Sequence, residues 1–260
     1  MINDEVLVSI ITPAYNCSET IRETIESVLS QTWNNWEMII VNDCSTDNTV
    51  DIVNEYVKKD SRIKLINFQK NSGSAAARNT AIRQSNGRYI ALLDSDDLWK
   101  SEKLKKQVAF MQENNIAFSF TSYDVFKKIS DRERRVFVAP KKITYNQYLK
   151  NSIIGCLTVM IDKEMVPDFH MEEGYLEDVL TWMYYLKKGI VAYGIDEILA
   201  SYRVSENSKS GKKIKNAQRF YQCLKEQEGI GLIRRIYSQI GYMFHALKKR
   251  IFSKKIIIND

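Results

Sequence analysis

The stretch ALLDSDDLW, residues 91–99, ends an apolar run in a cluster of three carboxylates and then closes on a tryptophan. Asp94, Asp96 and Asp97 lie within four positions. Carboxylates this close repel one another, and burying one is costly unless a partner neutralises it. Either the cluster is a solvated turn that caps the next helix, or it binds a hard divalent cation such as Mg2+ or Mn2+. The nine residues alone leave both interpretations open.

The segments on either side of this cluster alternate between strand and helix patterns. Short β-branched apolar runs are typical of buried parallel strands, and apolar residues spaced three or four apart are typical of helices. Strands are predicted at 6–12, 36–43, 62–68 and 88–93, and helices at 18–29, 45–57, 73–85 and 101–114. We expect Ser18 to cap the first helix and Asn86-Gly87 to end the third in a left-handed turn.

Beyond residue 115 the patterns predict strands at 116–126, 135–140, 156–162 and 198–204, a solvated loop at 131–135 and a helix at 176–189. The alternation predicts an α/β fold with a mostly parallel central sheet and helices on both faces. The expected domains are 1–210, divided into halves at 1–100 and 101–210, and a tail at 211–260.

Polar residues follow each of the first four predicted strands. They are Tyr15, Asp43, Gly73 and Asp94. Ligands of parallel sheets bind at the carboxyl ends of strands, so these residues predict one shared crevice. Taken alone, Asp43 fits either an Asx-turn or a contact to a nucleotide, and Arg78 fits either a base or phosphate contact or an ordinary surface arginine. The loop NSGSAAARN lacks both the G-x-G-x-x-G and the P-loop patterns.

Composition predicts a soluble globular protein, with 44% hydrophobic and 27% charged residues. Asp4 and Glu5 precede the first strand, so we expect no signal peptide. No apolar run reaches the ~20 residues that span a bilayer. The four cysteines are scattered and contain no C-x-x-C pair, which indicates free thiols in a reducing cytoplasm.

Positive charge is concentrated in the tail. Residues 211–260 carry 12 Lys or Arg and 3 Asp or Glu, against 26 and 29 in the first 210 residues. A helix is predicted at 211–227, with Phe220 and Leu224 facing inward. From Leu232 to Phe252, apolar residues at helical spacing lie among basic ones, which is typical of a helix on an anionic membrane surface. The alternative is a helix that packs on the first 210 residues and exposes a solvated basic face.

Five ordered blocks resemble the inverting, GT-A-fold glycosyltransferases of family two, of the type that builds bacterial surface polysaccharide. The blocks are VSIITPAYN, SVLSQTWNNWEMIIVNDCSTDNT, NSGSAAARNTAI, GRYIALLDSDDLWKSEKLKKQ and LEDVLTWMYYLKKG, followed by Tyr202-Arg203. The resemblance covers residues 6–205. It implies a metal-dependent hexosyltransferase that inverts the donor linkage to β during capsule, O-antigen or other surface polysaccharide synthesis.

The resemblance also implies roles for matching positions. Asp178 would be the general base and Asp96 the ligand of Mn2+ or Mg2+. Acceptor or diphosphate contacts would come from Glu177, Trp99 and Arg203. The nucleotide site would comprise Pro13, Ala14, Tyr15, Asp43, Gly73, Arg78, Asp94 and Ser95.

One departure concerns the residues after Tyr202-Arg203. Family members often carry a histidine there, whereas this chain has Ser205 and Glu206. A third protein ligand to the metal is therefore in doubt, and Arg203, Ser208 or Lys209 are the other candidates for holding the diphosphate.

The implied donor is a UDP-sugar carrying a hexose or N-acetylhexosamine, and the implied acceptor is a lipid-linked saccharide at the inner face of the cell membrane. The alternatives are a non-catalytic partner subunit that binds nucleotides, or a polyanion binder whose basic tail docks on nucleic acid. We expect no nucleic-acid binding, because the tail has few Arg-aromatic alternations and, unless a metal were present, the carboxylates would repel phosphates.

Overall fold

The first half of the chain folds as alternating strands and helices. A computed structural model describes residues 6–204, 213–227, 229–251 and 254–257. The elements of this half are β1 (Val8–Ala14), α1 (Ile21–Leu29), β2 (Trp36–Asn42), α2 (Thr49–Val57), β3 (Ile63–Asn67), α3 (Ser74–Arg83), β4 (Tyr89–Leu92), β5 (Leu98–Trp99) and α4 (Lys103–Asn114). The four predicted strands and four predicted helices are therefore present.

The second half adds the remaining strands, which pair in both directions, and the remaining helices. They are β6 (Phe118–Phe126), β7 (Glu133–Phe137), β8 (Lys142–Ile143), α5 (Tyr145–Tyr148), β9 (Met160–Asp162), α6 (Glu177–Lys187), β10 (Ala192–Arg203), α7 (Lys213–Glu226), α8 (Leu232–Ile251) and β11 (Lys254–Ile257). The main strand order is β11-β7-β6-β9-β4-β1-β2-β3. β3, β2, β1 and β4 run parallel, and β9 joins β4 antiparallel.

The sheet is covered on both faces, as predicted. Successive side chains of a strand point to opposite faces, so β1 places Ile10 in one apolar layer and Ile11 in the other. The layer around Ile10 includes side chains of α1, α2 and α4, and the layer around Ile11 includes those of α3, α6 and α7. Burial on both faces explains why the strand sequences are nearly continuous apolar runs.

Two predictions about helix ends are wrong. Thr20, and not Ser18, occupies the N-cap of α1, and the backbone N–H of Ser18 donates to Asp47 Oδ2 at 3.0 Å. Gly87 does not adopt a positive φ. A β-carbon there would lie 2.6 Å from Ser9 Oγ and 2.8 Å from the carbonyl oxygen of Leu7. This glycine therefore allows close approach to β1 and does not end α3 in a left-handed turn.

The second half also corrects the sequence analysis. The segment predicted as a solvated loop at 131–135 contributes to β7, and Arg134 is buried with Nη1 2.9 Å from Asp124 Oδ2. Only Met160–Asp162 of the predicted strand 156–162 is a strand, since Cys156–Thr158 forms a 3-10 turn. The strand β10 begins at Ala192, whereas the prediction began it at residue 198. The strand β11 was not predicted.

The tail contains both predicted helices. Phe220 and Leu224 of α7 are buried, as predicted, and α8 packs beside α7. Among the described residues, no helix combines the length and the apolarity needed to cross a bilayer.

Candidate active site at the carboxyl edge of the sheet

Asp43, directly after β2, organises the loop that precedes α3. Its two carboxylate oxygens accept the backbone N–H groups of Ser72 at 2.6 Å and Gly73 at 2.8 Å. Asn71 Nδ2 donates to the Asp43 carbonyl oxygen at 3.2 Å. Gly73 has φ +88°, which disfavours other residues, and it begins α3. The buried Asp43 thus fixes the end of β3 against the end of β2.

The loop after β1 is tied to the loop after β2. Asn16 Oδ1 accepts the backbone N–H of Thr46 at 2.8 Å, and Ser45 Oγ accepts the backbone N–H of Asn16 at 3.0 Å. Tyr15 is half exposed at the same edge, whereas Ala14 is buried and accepts the N–H of Asp43 with its carbonyl oxygen. Pro13 pairs with Val41 of β2 in the strand register. These contacts bring the predicted nucleotide-binding loops together.

The carboxylates of the 94–97 cluster have different environments. Asp94 forms an ion pair with Arg78. Asp97 is buried, with Oδ1 accepting the backbone N–H of Arg203 at 2.8 Å and Oδ2 lacking a hydrogen-bond partner. Ser95 fixes the loop, because its carbonyl oxygen accepts Thr20 Oγ1–H at 2.9 Å.

Asp96 has no side-chain partner among the described residues. Burial, with a further contribution from Asp94, raises the pKa of Asp96 to about 6. Burial and the charge of Asp96 also raise the pKa of Asp97. An unpaired carboxylate beside two others fits a divalent cation, which would remove the repulsion. In the described part of the chain no three His, Cys, Asp or Glu side chains converge on one metal position, so water and substrate oxygens would complete the coordination.

A second acidic pair begins α6. Glu177 is paired, since Ser74 Oγ donates to its carboxylate and Arg78 Nη1 lies 3.1 Å from Oε1. The Asp178 carboxylate accepts only the backbone N–H of Val179, at 2.8 Å, among the hydrogen bonds of the described residues. Burial, followed by the charge of Glu177, raises the pKa of Asp178 to about 6.

Arg78 connects the two acidic groups. This buried side chain contacts Asp94 with Nη2 and Glu177 with Nη1, so its charge is directed at carboxylates in this structure. The sequence analysis missed Ser74, which lies one helical turn before Arg78. The i, i+4 spacing places both residues on one face of α3 and indicates a common partner.

Two of the predicted acceptor or diphosphate residues have side-chain donors that bond to the protein itself. Trp99 is buried and donates its indole N–H to the carbonyl oxygen of Leu157 at 2.8 Å, so its ring packs in the core. Arg203 Nε donates to the carbonyl oxygen of Asp96 at 2.7 Å, and its Nη2 pairs with Glu23. Arg203 thus holds the carboxylate loop onto α1. Ser205, Glu206, Ser208 and Lys209 lie outside the described residues.

Comparisons with known proteins agree with the sequence motifs. Residues 9–165 match the family described as Glycosyl transferase family 2. The chain is 45% identical over 252 residues to TuaG of Bacillus subtilis (strain 168), provisionally named a teichuronic acid biosynthesis glycosyltransferase, covering 96% of this chain and 100% of TuaG. It is 42% identical over 253 residues to the Escherichia coli UDP-Glc:alpha-D-GlcNAc-diphosphoundecaprenol beta-1,3-glucosyltransferase WfgD, covering 97% and 98%.

A solved structure shows the same fold. The 1–349 fragment of Staphylococcus aureus TarS, in complex with UDP-GlcNAc, superposes with a TM-score of 0.68 at 19% identity, covering 94% of this chain and 73% of that one. The likeness confirms the predicted GT-A architecture with a helical carboxyl-terminal part.

Proposed function

Since the chain belongs to glycosyl transferase family 2, as its motifs predicted, we propose that it transfers a hexose or N-acetylhexosamine from a UDP-sugar to a lipid-linked saccharide in cell-surface polysaccharide synthesis, with inversion to a β-linkage. The full-length similarity to WfgD supports this donor and acceptor class. One feature of the site carries the proposal: Asp96 and Asp178 lie in neighbouring acidic groups that Arg78 connects, and neither has a side-chain partner among the described residues.

The donor would lie across the ends of β1 to β4, in the proposed nucleotide-binding half (1–100) of a catalytic domain at 1–210. We assign Pro13, Ala14 and Tyr15 to the floor under the base, and Asp43 to the base or ribose, where it would also hold Gly73. Arg78, Asp94 and Ser95 would lie around the ribose and diphosphate, and binding there would require Arg78 or Asp94 to exchange part of the present ion pair for the ligand.

Asp96 is the proposed metal ligand, for Mn2+ or Mg2+. A bound cation would stabilise the negative charge of the departing diphosphate. The chain itself contributes the carboxylate loop, which Arg203 fixes through the Asp96 carbonyl oxygen and Thr20 fixes through Ser95. The loop is thus held before any ligand binds.

Asp178 is the proposed general base. Inversion in one displacement requires the attacking hydroxyl to lose its proton on the side opposite the leaving group. A base is most effective when its pKa lies near the working pH, and a pKa of about 6 leaves Asp178 ionised yet basic at neutral pH. Glu177, held by Ser74 and Arg78, would fix the first turn of α6 and so the position of Asp178.

The acceptor half (101–210) would face a saccharide attached to a membrane lipid. WfgD is named for an acceptor linked to diphosphoundecaprenol. An acceptor of this kind would require the enzyme to work at the inner face of the cell membrane, in the cytoplasm.

The test is a transfer assay with UDP-glucose, UDP-GlcNAc and a synthetic GlcNAc-diphospho-lipid, with and without Mn2+ and EDTA. We expect UDP release that requires metal and acceptor, and a β-anomeric coupling in the NMR spectrum of the product. Asp178→Asn should abolish transfer while UDP binding is retained. Asp168→Asn serves as the control, because it removes an exposed carboxylate whose one ion pair among the described residues is with Lys188 at the surface.

Other results would overturn parts of the proposal. An α-linked product would contradict inversion. Transfer that persists in EDTA would contradict the metal assignment to Asp96. Binding of UDP without transfer to any lipid-linked saccharide would favour the alternative of a non-catalytic, nucleotide-binding partner subunit.

A further inference from the structure

The polar and small residues of helix α8 face the protein. Gln239 Nε2 donates to the carbonyl oxygen of Ala217 at 3.0 Å, and Tyr242 stacks on Phe220 of α7 with ring centroids 4.1 Å apart. Ser238 is buried. A β-carbon on Gly241 would lie 2.9 Å from the side chain of Lys150, so the helix also approaches the segment after α5 closely.

The apolar side chains of α8 lie on the opposite face, in solvent. Ile233 is 85% exposed, Ile240 60% and Phe244 63%. The full set of exposed apolar residues is Leu232, Ile233, Ile236, Tyr237, Ile240, Met243, Phe244 and Leu247. At about 100° per residue these eight fall within an arc of about 140°. Soluble proteins normally bury such an apolar stripe, so its exposure indicates a surface that binds an apolar partner.

The helix is held in a fixed orientation. At its start, Arg234 pairs with Asn146 of α5. In its middle, Lys150 Nζ lies 4.6 Å from the ring centroid of Tyr237. After its end, β11 adds to β7 at the edge of the central sheet. The apolar face is therefore presented by a helix anchored at both ends.

Charge selects the kind of partner. Between Glu228 and Asp260 the sequence has no acidic residue and seven Lys or Arg, five of them in α8. Basic residues around an apolar helical face are the pattern that binds anionic lipid surfaces. Two copies of this helix placed face to face would bring their cations together, which disfavours a symmetric dimer through this surface.

We propose that the exposed face of α8 docks on an anionic phospholipid bilayer, with Ile233, Ile240 and Phe244 entering the interface and the helix lying parallel to the membrane plane. The docking extends the proposed function, because it would hold the enzyme where a lipid-linked acceptor is found. Tyr242 lies on the opposite face of α8, where it stacks on Phe220 of α7. Phe220 belongs to the same apolar layer as the side chains of α6. The docking face and the face that packs toward α6 through α7 thus lie on opposite sides of α8.

The experiment is vesicle flotation of the full chain, without donor or acceptor, using phosphatidylcholine alone or with 30% phosphatidylglycerol. We expect the wild type to float with the anionic vesicles and at least tenfold less with the neutral ones, and to be released by 0.5 M salt. Ile240→Asp with Phe244→Asp should reduce the bound fraction at least tenfold. Ile129→Asp with Met165→Asp, two exposed apolar residues outside α8, is the control with the same charge change and should float like the wild type.

Failure of this experiment is separate from failure of the proposed function, because flotation requires no catalysis. Equal flotation with both lipid mixtures, or none with either, overturns the assignment. A concentration-dependent dimer in light scattering that Ile240→Asp with Phe244→Asp abolishes would assign the face to a second copy and also overturn it. Thermal unfolding of both double variants checks that each is folded.

Discussion

The acidic groups at the end of β4 and at the start of α6 share one arrangement. In each, one carboxylate is paired with Arg78, and a close neighbour in sequence is left without a side-chain partner among the described residues. Asp94 and Glu177 are the paired members, and Asp96 and Asp178 are the unpaired ones. Arg78 thus holds the framework together, while the carboxylates proposed for metal binding and proton transfer have no ion-pair partner among the described residues.

This division has an energetic consequence. A buried carboxylate without a partner is destabilising at neutral pH, because its charged form loses hydration. Asp96 and Asp178 are partly buried, and loss of hydration is the main cause that raises the pKa of each to about 6. Functional sites often retain such groups at the expense of stability, so the comparison predicts opposite effects for paired and unpaired carboxylates.

Replacing the unpaired Asp178 should give the largest effect on activity. Asp178→Asn removes the proposed base without changing the size of the side chain, so kcat should fall by about 10³-fold, within the range typical of general-base removal. The free energy of unfolding of the ligand-free protein should rise by about 1–2 kcal/mol at pH 7.5, because a disfavoured charge is removed. Steady-state UDP release and urea unfolding measure the two effects.

A matched variant separates charge removal from loss of the base. Glu177→Gln, at the adjacent residue, removes a paired carboxylate and should lower the free energy of unfolding. If Asp178→Asn destabilised the protein as much as Glu177→Gln, the distinction between paired and unpaired carboxylates would be wrong.

Replacing the shared cation should give the next largest effect. Arg78→Lys keeps the charge but cannot reach two carboxylates in the same planar geometry. We expect a loss of about 3 kcal/mol in unfolding free energy, the lower end of the range for breaking a buried charge pair, and a 10- to 100-fold loss in kcat. Arg83→Lys is the control and should leave both quantities unchanged. Arg83 is exposed on the same helix, and its one side-chain hydrogen bond among the described residues is to Thr80.

The sequence predicted the first half of the fold because its strands are buried on both faces and its helices carry clear apolar stripes. The prediction from sequence was wrong where a tertiary contact overrides the local residue pattern. Arg134 looks solvent-exposed in the charged run 131–135, yet its ion pair with Asp124 draws that run into the sheet. Gly87 looks like a helix stop, yet the close approach to Ser9 is what requires it.

The sequence named candidate residues of the site, whereas the contacts between them came from the structure. Strand ends and family motifs pointed to Asp43, Asp96 and Asp178, whose roles stay predictions. No sequence pattern indicated that Arg78 would bridge residues 16 and 99 positions away, because such pairing depends on how α3 and α6 pack. The burial of Trp99 was likewise hidden, since an aromatic residue beside carboxylates fits a binding site and a core equally well.

The pH dependence should show a smaller, graded effect. Asp178 acts only when deprotonated, so with a pKa of about 6 the kcat at saturating donor and metal should fall about tenfold between pH 7 and pH 5. In the ligand-free protein, the free energy of unfolding should change with pH in the opposite direction to kcat. A carboxylate whose pKa is raised by folding binds protons more readily when folded, so its contribution to stability increases as the pH falls through about 6.

The charge of Glu177 provides a check on whether Asp178 controls this pH dependence. Because Glu177 raises the pKa of Asp178, Glu177→Gln should move the acidic limb of the kcat profile to lower pH. A limb that stays in place would mean that a group other than Asp178 controls it.

The smallest effect should come from Ser74, the residue that the sequence analysis overlooked. Ser74→Ala removes one hydrogen bond to Glu177 but leaves the ion pair with Arg78 in place. A hydrogen bond to a charged group contributes about 1.5–3 kcal/mol, and the loss should lie near the lower value because Glu177 keeps a cationic partner. Urea unfolding should show this loss, with kcat reduced less than tenfold. In a double-mutant cycle, Ser74→Ala should cost much less in the Glu177→Gln background, because both residues act on the first turn of α6. Additive effects would show that Ser74 stabilises α3 alone, and the bridge from α3 to α6 would then rest on Arg78.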